Sequence, residues 1–152
     1  MRYQWEKLNK QQLGSYAEYF IKMELTMYGF QVYSPEVDDR GIDFICRYED
    51  GHFIQIQVKS VFKANYVYME KSKFEPSNLL WLTLVYFENG EKPKLFLIPS
   101  IVWNNPEQPF VSREEYKRPE FGINISRKNL PKLEKYKFDN MIDEFIKKGK
   151  YN

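Results

Sequence analysis

The sequence is poor in the residue types on which disulfide frameworks and most zinc sites depend. Among 152 residues, Cys46 is the only cysteine and His52 is the only histidine. A disulfide framework and a zinc site with several cysteines are therefore excluded. Cys46 falls on the apolar side of an alternating segment, which predicts a small core residue. His52 follows a turn and is interpreted as an ordinary surface residue.

Long apolar segments are also missing. The longest apolar run, residues 79–87, is too short for a membrane-spanning helix, which needs about 20 apolar residues. The polar residues 1–5 do not resemble the start of a signal peptide, because no apolar core segment follows. These absences predict a cytoplasmic protein that has no membrane partner.

Neither sign of charge dominates the whole chain, but the charges are unevenly distributed. The net charge is +2, and residues 113–152 carry eleven Lys or Arg against seven acids. Residues 34–50 are acidic, and their six acids are Glu36, Asp38, Asp39, Asp43, Glu49 and Asp50. An acidic centre beside a basic flank fits a metal site that acts on a polyanion. A solvated surface would give the same asymmetry, so both interpretations stay open.

Apolar residues are numerous enough to form a core. Hydrophobic residues make up 43% of the chain, with 12 Tyr, 12 Phe and 3 Trp. The length suits one domain that spans residues 1–152. Most of the aromatic residues are expected to pack in the core, and a minority could stack on bases.

The periodicity of apolar residues predicts an α/β fold. Residues 9–28 have the three- and four-residue spacing of a helix that Gly29 ends. Glu18 lies on the edge of its apolar stripe and Glu24 nearer the middle. Further predicted elements are strands at residues 30–33, 42–48, 54–60, 66–69, 79–87 and 94–98, a helical turn at 101–103, a short edge strand at 121–125, and a helix at 139–148 with Gly149 after it. The order predicts a mixed central sheet of about five strands flanked by helices.

The segment from Asp43 to Ser60 reads as a β-hairpin whose register can be predicted. A three-residue loop at residues 49–51, with Gly51 in the left-handed conformation, places Ile42 opposite Val58, Phe44 opposite Ile56 and Cys46 opposite Ile54. One face of the hairpin is then wholly apolar, as a half-buried hairpin requires. The other face carries Asp43, Gln57 and Lys59, with only Ile45 out of place. This cluster suits a divalent cation beside a phosphate, although a surface ion pair between Asp43 and Lys59 is the simpler alternative.

Several short motifs follow one another along the first part of the chain. They are Gly14-x-x-Ala17-Glu18, Leu25, Gly29-Phe30-x-Val32, Pro35, Asp43 and Ile56-Gln57-Val58-Lys59-Ser60. Their order and spacing resemble the PD-(D/E)XK nuclease superfamily, over roughly residues 13–60 and loosely as far as Trp103. The sequence is similar in particular to the group with Gln at the second acidic position, which includes certain group I intron homing endonucleases and Mrr-like restriction enzymes. Holliday-junction resolvases look similar in their helix and hairpin.

The resemblance implies a restriction-endonuclease-like core and a magnesium-dependent deoxyribonuclease, with manganese as an alternative metal. Asp43 would be the principal metal-binding carboxylate, Gln57 would stand at the acid position, and Lys59 would be the motif lysine. Glu18 would be the helix-borne glutamate. Because Gln57 is neutral where the motif has an acid, the site carries one negative charge fewer, which predicts a lower affinity for a hard cation.

A binding module without chemistry is the competing function. Such a protein would bind nucleic acid through Lys63, Lys71, Lys73 and the basic residues of the C-terminal part. A third alternative is an interaction protein with a vestigial site. DNA is the expected partner in the first two cases, and the sequence leaves open whether the chain forms a homo-oligomer.

Overall fold

The computed structural model describes residues 1–37 and 40–151, so Asp38 and Asp39 of the predicted acidic centre lie outside the described residues. The α-helices are α1 (Lys10–Met27) and α2 (Phe138–Tyr151). The strands are β1 (Phe30–Tyr33), β2 (Phe44–Tyr48), β3 (Ile54–Phe62), β4 (Tyr66–Glu70), β5 (Leu80–Phe87), β6 (Lys94–Pro99), β7 (Phe110–Arg113) and β8 (Glu120–Asn124). Short 3₁₀ turns span Trp5–Lys7, Lys71–Lys73, Ser100–Asn104 and Leu130–Tyr136.

Two sheets form the β-structure. The central sheet has five strands in the order β1-β2-β3-β5-β6, and only the β3–β5 pair is parallel. A second, antiparallel sheet has three strands in the order β4-β8-β7. The predicted α/β fold with a mixed central sheet of about five strands is confirmed.

The central sheet is buried on both faces. One face packs against the two α-helices through residues such as Ile21, Ile56 and Phe145. The other face packs against the second sheet through residues such as Leu82, Met69 and Ile123. Strand β5 is buried along its whole length, as expected for a central strand covered on both sides.

Helix α1 begins and ends where its sequence signals lie. Asn9 and Gln12 form a capping box, in which each side chain accepts the other residue's backbone N–H. Gly29 follows the helix with a φ of +96°, which a glycine adopts without strain. The four-residue spacing of buried Leu13, Ala17, Ile21 and Leu25 fixes which face meets the sheet. No helix in the described ranges is long and apolar enough to cross a membrane.

The second sheet departs most from the sequence prediction. Strand β8 was expected at an edge, but it lies between β4 and β7. Strand β7 and the 3₁₀ turn at Leu130–Tyr136 were not predicted. Helix α2 continues through Gly149 rather than ending before it. The helices cover one face of the central sheet only, because the second sheet occupies the other face.

The predicted register of the β2–β3 hairpin is confirmed for Phe44 opposite Ile56 and Cys46 opposite Ile54. The predicted pair of Ile42 with Val58 is not formed, because β2 begins at Phe44 and the Val58 N–H donates to the Asp43 side chain instead. The predicted role of Gly51 is wrong, because Glu49 is the loop residue with positive φ, at 52°. Gly51 is required for another reason. A Cβ at this position would lie 2.7 Å from the carbonyl oxygen of Gly149 in helix α2.

Candidate active site

The candidate site lies where strands β2 and β3 separate. Pairing between them runs from Cys46–Ile54 to Phe44–Ile56, whereas β3 continues to Phe62. Asp43 stands at the fork, and its carboxylate oxygen accepts the backbone N–H of Val58 at 2.6 Å. The side chain thus takes the place of a strand partner for β3 and is held there by a charge-assisted hydrogen bond.

Gln57 and Lys59 lie two residues apart on β3 and line one cleft. Alternation along the strand explains this placement, because Ile56 points into the helix-side core while its neighbours point to the other face. The Gln57 Oε1 atom is buried, and no described residue donates a hydrogen bond to it. A buried acceptor without a donor is costly, and a cation would satisfy it.

Lys59 is a partly buried ammonium surrounded by charges of both signs. Burial lowers its pKa below the ordinary 10.5, the Asp43 carboxylate opposes that shift, Lys10 adds to it, and Glu70 opposes it. The ammonium is therefore poorly hydrated and lies near a carboxylate. A lysine in this state interacts strongly with an added phosphate, since little water needs to be displaced.

Glu18, the predicted helix-borne ligand, is held by a neighbour on its own helix. Its Oε1 accepts from the Lys22 ammonium at 2.9 Å, and Lys22 also donates to the Ser34 hydroxyl at 2.8 Å. The Lys22 ammonium lies 5.4 Å from the ring centroid of Phe44, next to Asp43 in the chain. Glu18 would therefore have to exchange Lys22 for a metal ion in order to act as a ligand.

The three lysines predicted to bind nucleic acid differ in their surroundings. Lys73 is exposed and lines the cleft that contains Gln57 and Lys59. Lys63 is exposed at the turn that follows β3. Lys71 is already paired, because its ammonium donates to the Ser112 hydroxyl and forms a salt bridge with Glu114.

Three further residues, which the sequence motifs did not identify, border the site. Glu70 and Tyr68, both on β4, line the cleft together with Gln57. Lys10, at the start of α1, lines an adjoining cleft that also contains Lys59 and Tyr68. The sequence signal for β4 was present as alternation of buried and exposed residues, but its position against β3 depends on the second sheet.

A metal site made only of ionisable ligands is not evident. Within residues 1–37 and 40–151, no group of three or more His, Cys, Asp or Glu is placed to hold a metal ion. The predicted set of Glu18, Asp43 and Gln57 contains only two carboxylates, so it depends on the amide oxygen of Gln57. Oxygen ligands of these kinds suit Mg²⁺, which also takes ligands from water and substrate phosphate.

Comparison with solved structures finds the same fold in a nuclease. The bacterial homing endonuclease I-Ssp6803I superposes with a TM-score of 0.63 at 16% sequence identity, over 93% of this chain and 94% of that one. The Holliday junction resolvase Hjc of Archaeoglobus fulgidus matches with a TM-score of 0.48 at 15% identity, over 78% of this chain and 87% of that one. No family model matches the chain, and no curated protein matches it by sequence.

The chain therefore shares the fold of this homing endonuclease, in agreement with the restriction-endonuclease-like core that the resemblance implied. The similarity to the homing endonuclease extends over nearly the full length of both chains. Because identity is 16%, the likeness concerns the fold, and any chemistry has to be argued from the site itself.

Proposed function

We propose that this protein is a metal-dependent endonuclease that hydrolyses phosphodiester bonds in DNA at Asp43, Gln57 and Lys59, with Glu18 as an additional ligand. The observation that carries the proposal is the buried, unpartnered Gln57 oxygen, two residues from a poorly hydrated lysine. Buried polar side-chain atoms in folded proteins usually have a hydrogen-bond partner, so an unpaired acceptor on a residue that lines a cleft supports a ligand there. Gln57 and Lys59 thus bring a buried acceptor and a partly buried ammonium to two residues that line one cleft.

The residues fit a hard divalent cation. Gln57 offers a buried amide oxygen, and Asp43 offers a carboxylate fixed by the Val58 N–H. Bound Mg²⁺ or Mn²⁺ would supply positive charge beside the phosphate and lower the pKa of a water. With one neutral ligand, the free protein should hold the metal weakly.

Lys59 would stabilise the charge that develops on the phosphate. Its ammonium is a point donor on a flexible stem, which suits a non-bridging oxygen. Partial burial keeps water from competing for it, so its effect on a transition state is larger than that of an exposed lysine. Asp43 would help to keep Lys59 protonated, because its negative charge raises the lysine pKa.

Two carboxylates could compensate for the neutral Gln57. Glu18 is available once Lys22 is displaced from it. Glu70 lines the same cleft as Gln57, and its present partner, Arg118, is an exposed side chain at 3.4 Å. A surface ion pair of this kind is worth little and exchanges easily.

Lysines around the cleft would provide the affinity for DNA. Lys73 and Lys63 are exposed and free of the close contacts that hold Lys71. Phosphate contacts of this type act together and make binding sensitive to salt. Lys71 would contribute only if it left Ser112 and Glu114.

The proposal predicts that Lys59→Ala loses cleavage but keeps most of its DNA affinity. We expect the nicking rate on supercoiled plasmid DNA with Mg²⁺ to fall on the order of 10²-fold or more, since one charge-stabilising donor is removed. Affinity should change little, because many phosphate contacts share the binding energy. The assay compares initial nicking rates and filter binding for the parent and the variant.

Lys92→Ala is the matched control, because Lys92 is an exposed lysine between β5 and β6. It should cleave and bind like the parent. If Lys59→Ala cleaves at the parent rate while remaining folded, Lys59 has no part in catalysis.

A binding module with a degenerate site is the second candidate function. The observation that favours it is that Glu18 is paired with Lys22 and Gln57 carries no charge, so the site has little negative charge to attract a cation. This candidate predicts salt-sensitive DNA binding with no cleavage of any DNA form under Mg²⁺ or Mn²⁺, by the parent and by Lys59→Ala alike.

A further inference from the structure

An exposed aromatic ring stands beside the candidate catalytic lysine. Tyr68 is 50% exposed, although its neighbours Val67 and Met69 are buried. Its ring centroid lies 5.9 Å from the Lys59 ammonium. The ring borders both clefts that meet at Lys59, the one with Gln57 and the one with Lys10. A polymer that crosses Lys59 from one cleft to the other would have to pass Tyr68.

The ring is backed by a second aromatic ring that is itself fixed. Tyr66 and Tyr68 stack with centroids 6.3 Å apart and planes 13° from parallel. The Tyr66 hydroxyl donates to buried Glu120 at 2.6 Å and accepts from the Arg113 guanidinium at 3.3 Å. Gly122, directly opposite Tyr68 in β8, leaves the space that the Tyr66 ring fills. These contacts fix the Tyr66 ring, which in turn stacks on Tyr68 beside the site.

The adjoining cleft offers a second positive charge, that of Lys10. Lys10 is exposed at the first position of α1 and lines this cleft with Leu13 and Ser60. Its charge is close enough to Lys59 to lower that lysine's pKa. Two lysines, Lys10 and Lys59, therefore line this cleft together with Tyr68, so a strand that occupies the cleft could place phosphates near both.

We propose that Tyr68 stacks on an unpaired nucleotide next to the scissile phosphate, while Lys10 binds the adjoining phosphate. The inference rests on the proposed function, because it takes Lys59 as the group that acts on the phosphodiester. It adds a substrate class: DNA in which the nucleotide beside the cleavage point is single-stranded. A base within a duplex has both faces covered by its neighbours, whereas an unpaired base can offer a face to an aromatic ring.

The competing explanation is that Tyr68 only covers the Lys59 ammonium. A ring 5.9 Å from the charge is at the outer limit of a cation–π contact, so this interaction is weak. Tyr68 also remains 50% exposed to solvent beside this contact. Replacing the ring by leucine separates the two explanations, since leucine covers the lysine stem but cannot stack with a base in the same way.

The test measures binding without divalent metal, so that it does not depend on cleavage. The probes are a short single-stranded oligonucleotide with one 2-aminopurine and the same sequence as a perfect duplex. The proteins are the parent, Tyr68→Leu, Tyr68→Phe and a control, Tyr19→Leu, which changes a 67% exposed tyrosine on α1. The readouts are dissociation constants at fixed salt and quenching of the 2-aminopurine fluorescence, which reports stacking.

We expect the parent and Tyr68→Phe to quench the single-stranded probe and to bind it with similar affinity. Tyr68→Leu should bind it roughly tenfold or more weakly, as for loss of one stacked base, and should quench it less. Its affinity for the duplex should change by much less than that, and Tyr19→Leu should match the parent throughout. Lys10→Ala should weaken binding of the single strand without reducing the quenching of the bound probe.

The inference is overturned if Tyr68→Leu binds and quenches the single strand like the parent. It is also overturned if the variant, folded by circular dichroism, loses single-strand and duplex binding equally. Neither outcome concerns cleavage. A failure of the proposed function would instead show as metal-dependent nicking that is absent or does not depend on Lys59.

Discussion

At the scale of single residues, Asp43 joins the stability of the fold to the chemistry of the site. Its carboxylate accepts the Val58 N–H where β2 leaves β3, and its charge acts on Lys59. Removing the side chain would leave a partly buried N–H without its acceptor, which costs about 1–3 kcal/mol. Variants at this position therefore need to keep the hydrogen bond if they are to report on catalysis alone.

Cys46 gives a prediction that concerns packing only. The side chain is fully buried, and burial raises the pKa of its thiol from the ordinary 9.0 to about 12. Because the thiolate is the reactive form, we expect a thiol reagent at neutral pH to label the folded protein at least about 10³-fold more slowly than the unfolded protein. The measurement is the labelling rate with and without guanidinium chloride. Labelling of the native protein at the rate of a free thiol would show that Cys46 is accessible.

Some residues of the candidate site could be predicted from a short sequence pattern, and others could not. Gln57 and Lys59 could be predicted to share a face because alternation in a strand decides it, and the structure places both in one cleft. Tyr68 and Glu70 could not be assigned to that cleft, because their position depends on β4 pairing with the distant strand β8. The contact of Glu18 with Lys22 is local, but the sequence alone does not tell a salt bridge from a metal ligand.

At the scale of elements, register was predictable and strand order was not. The apolar faces of β2 and β3 allow one pairing, which the structure shows, because a shift by one residue would turn each apolar side chain outward. Strand β8 carries no such constraint in its own sequence. It lies in the middle of the second sheet because β4 and β7 both pair with it. β7 is its neighbour in the chain, but β4 is distant in the sequence, so the β4–β8 pairing could not be predicted from local patterns.

The second sheet contains a partly buried polar contact, between Tyr66 and Glu120, whose pH dependence can be predicted. Burial and the hydrogen bond to Glu120 raise the pKa of Tyr66 from the ordinary 10.0 to about 12. The folded state therefore keeps the phenol proton at pH values where the unfolded state has lost it. The resulting stabilisation is fully present below about pH 10 and is lost as the pH rises through about 12.

We therefore expect the free energy of unfolding of the parent to fall more steeply between about pH 9 and about pH 11 than that of Tyr66→Phe. Tyr66→Phe should also be less stable near neutral pH, because buried Glu120 loses a donor. Urea unfolding at the two pH values measures both effects. Tyr19→Phe, at an exposed site, is the control and should follow the parent. If the free energy of unfolding falls equally with pH for the parent and Tyr66→Phe, the pKa of Tyr66 is not raised by the fold.

At the scale of the whole molecule, three layers create the site. The helices and the second sheet cover opposite faces of the central sheet, and β3 runs beyond its pairing with β2 between them. Side chains at this fork can be partly buried and still reach a cleft, as Lys59 does. The sequence predicted the central layer and its helices, because their periodicities are strong. It did not predict that a second sheet, rather than helices, would cover the other face.

The central claim is that Asp43 serves a metal-dependent hydrolysis at this fork, and Asp43→Asn tests it most directly. Asparagine can still accept the Val58 N–H, so the variant should stay folded, whereas Asp43→Ala should lose stability as well. The measurement is the initial rate of supercoiled plasmid nicking with Mg²⁺, alongside thermal unfolding. We predict that Asp43→Asn nicks on the order of 10²-fold or more slowly than the parent, with unfolding nearly unchanged. Nicking by folded Asp43→Asn at the parent rate would contradict the account.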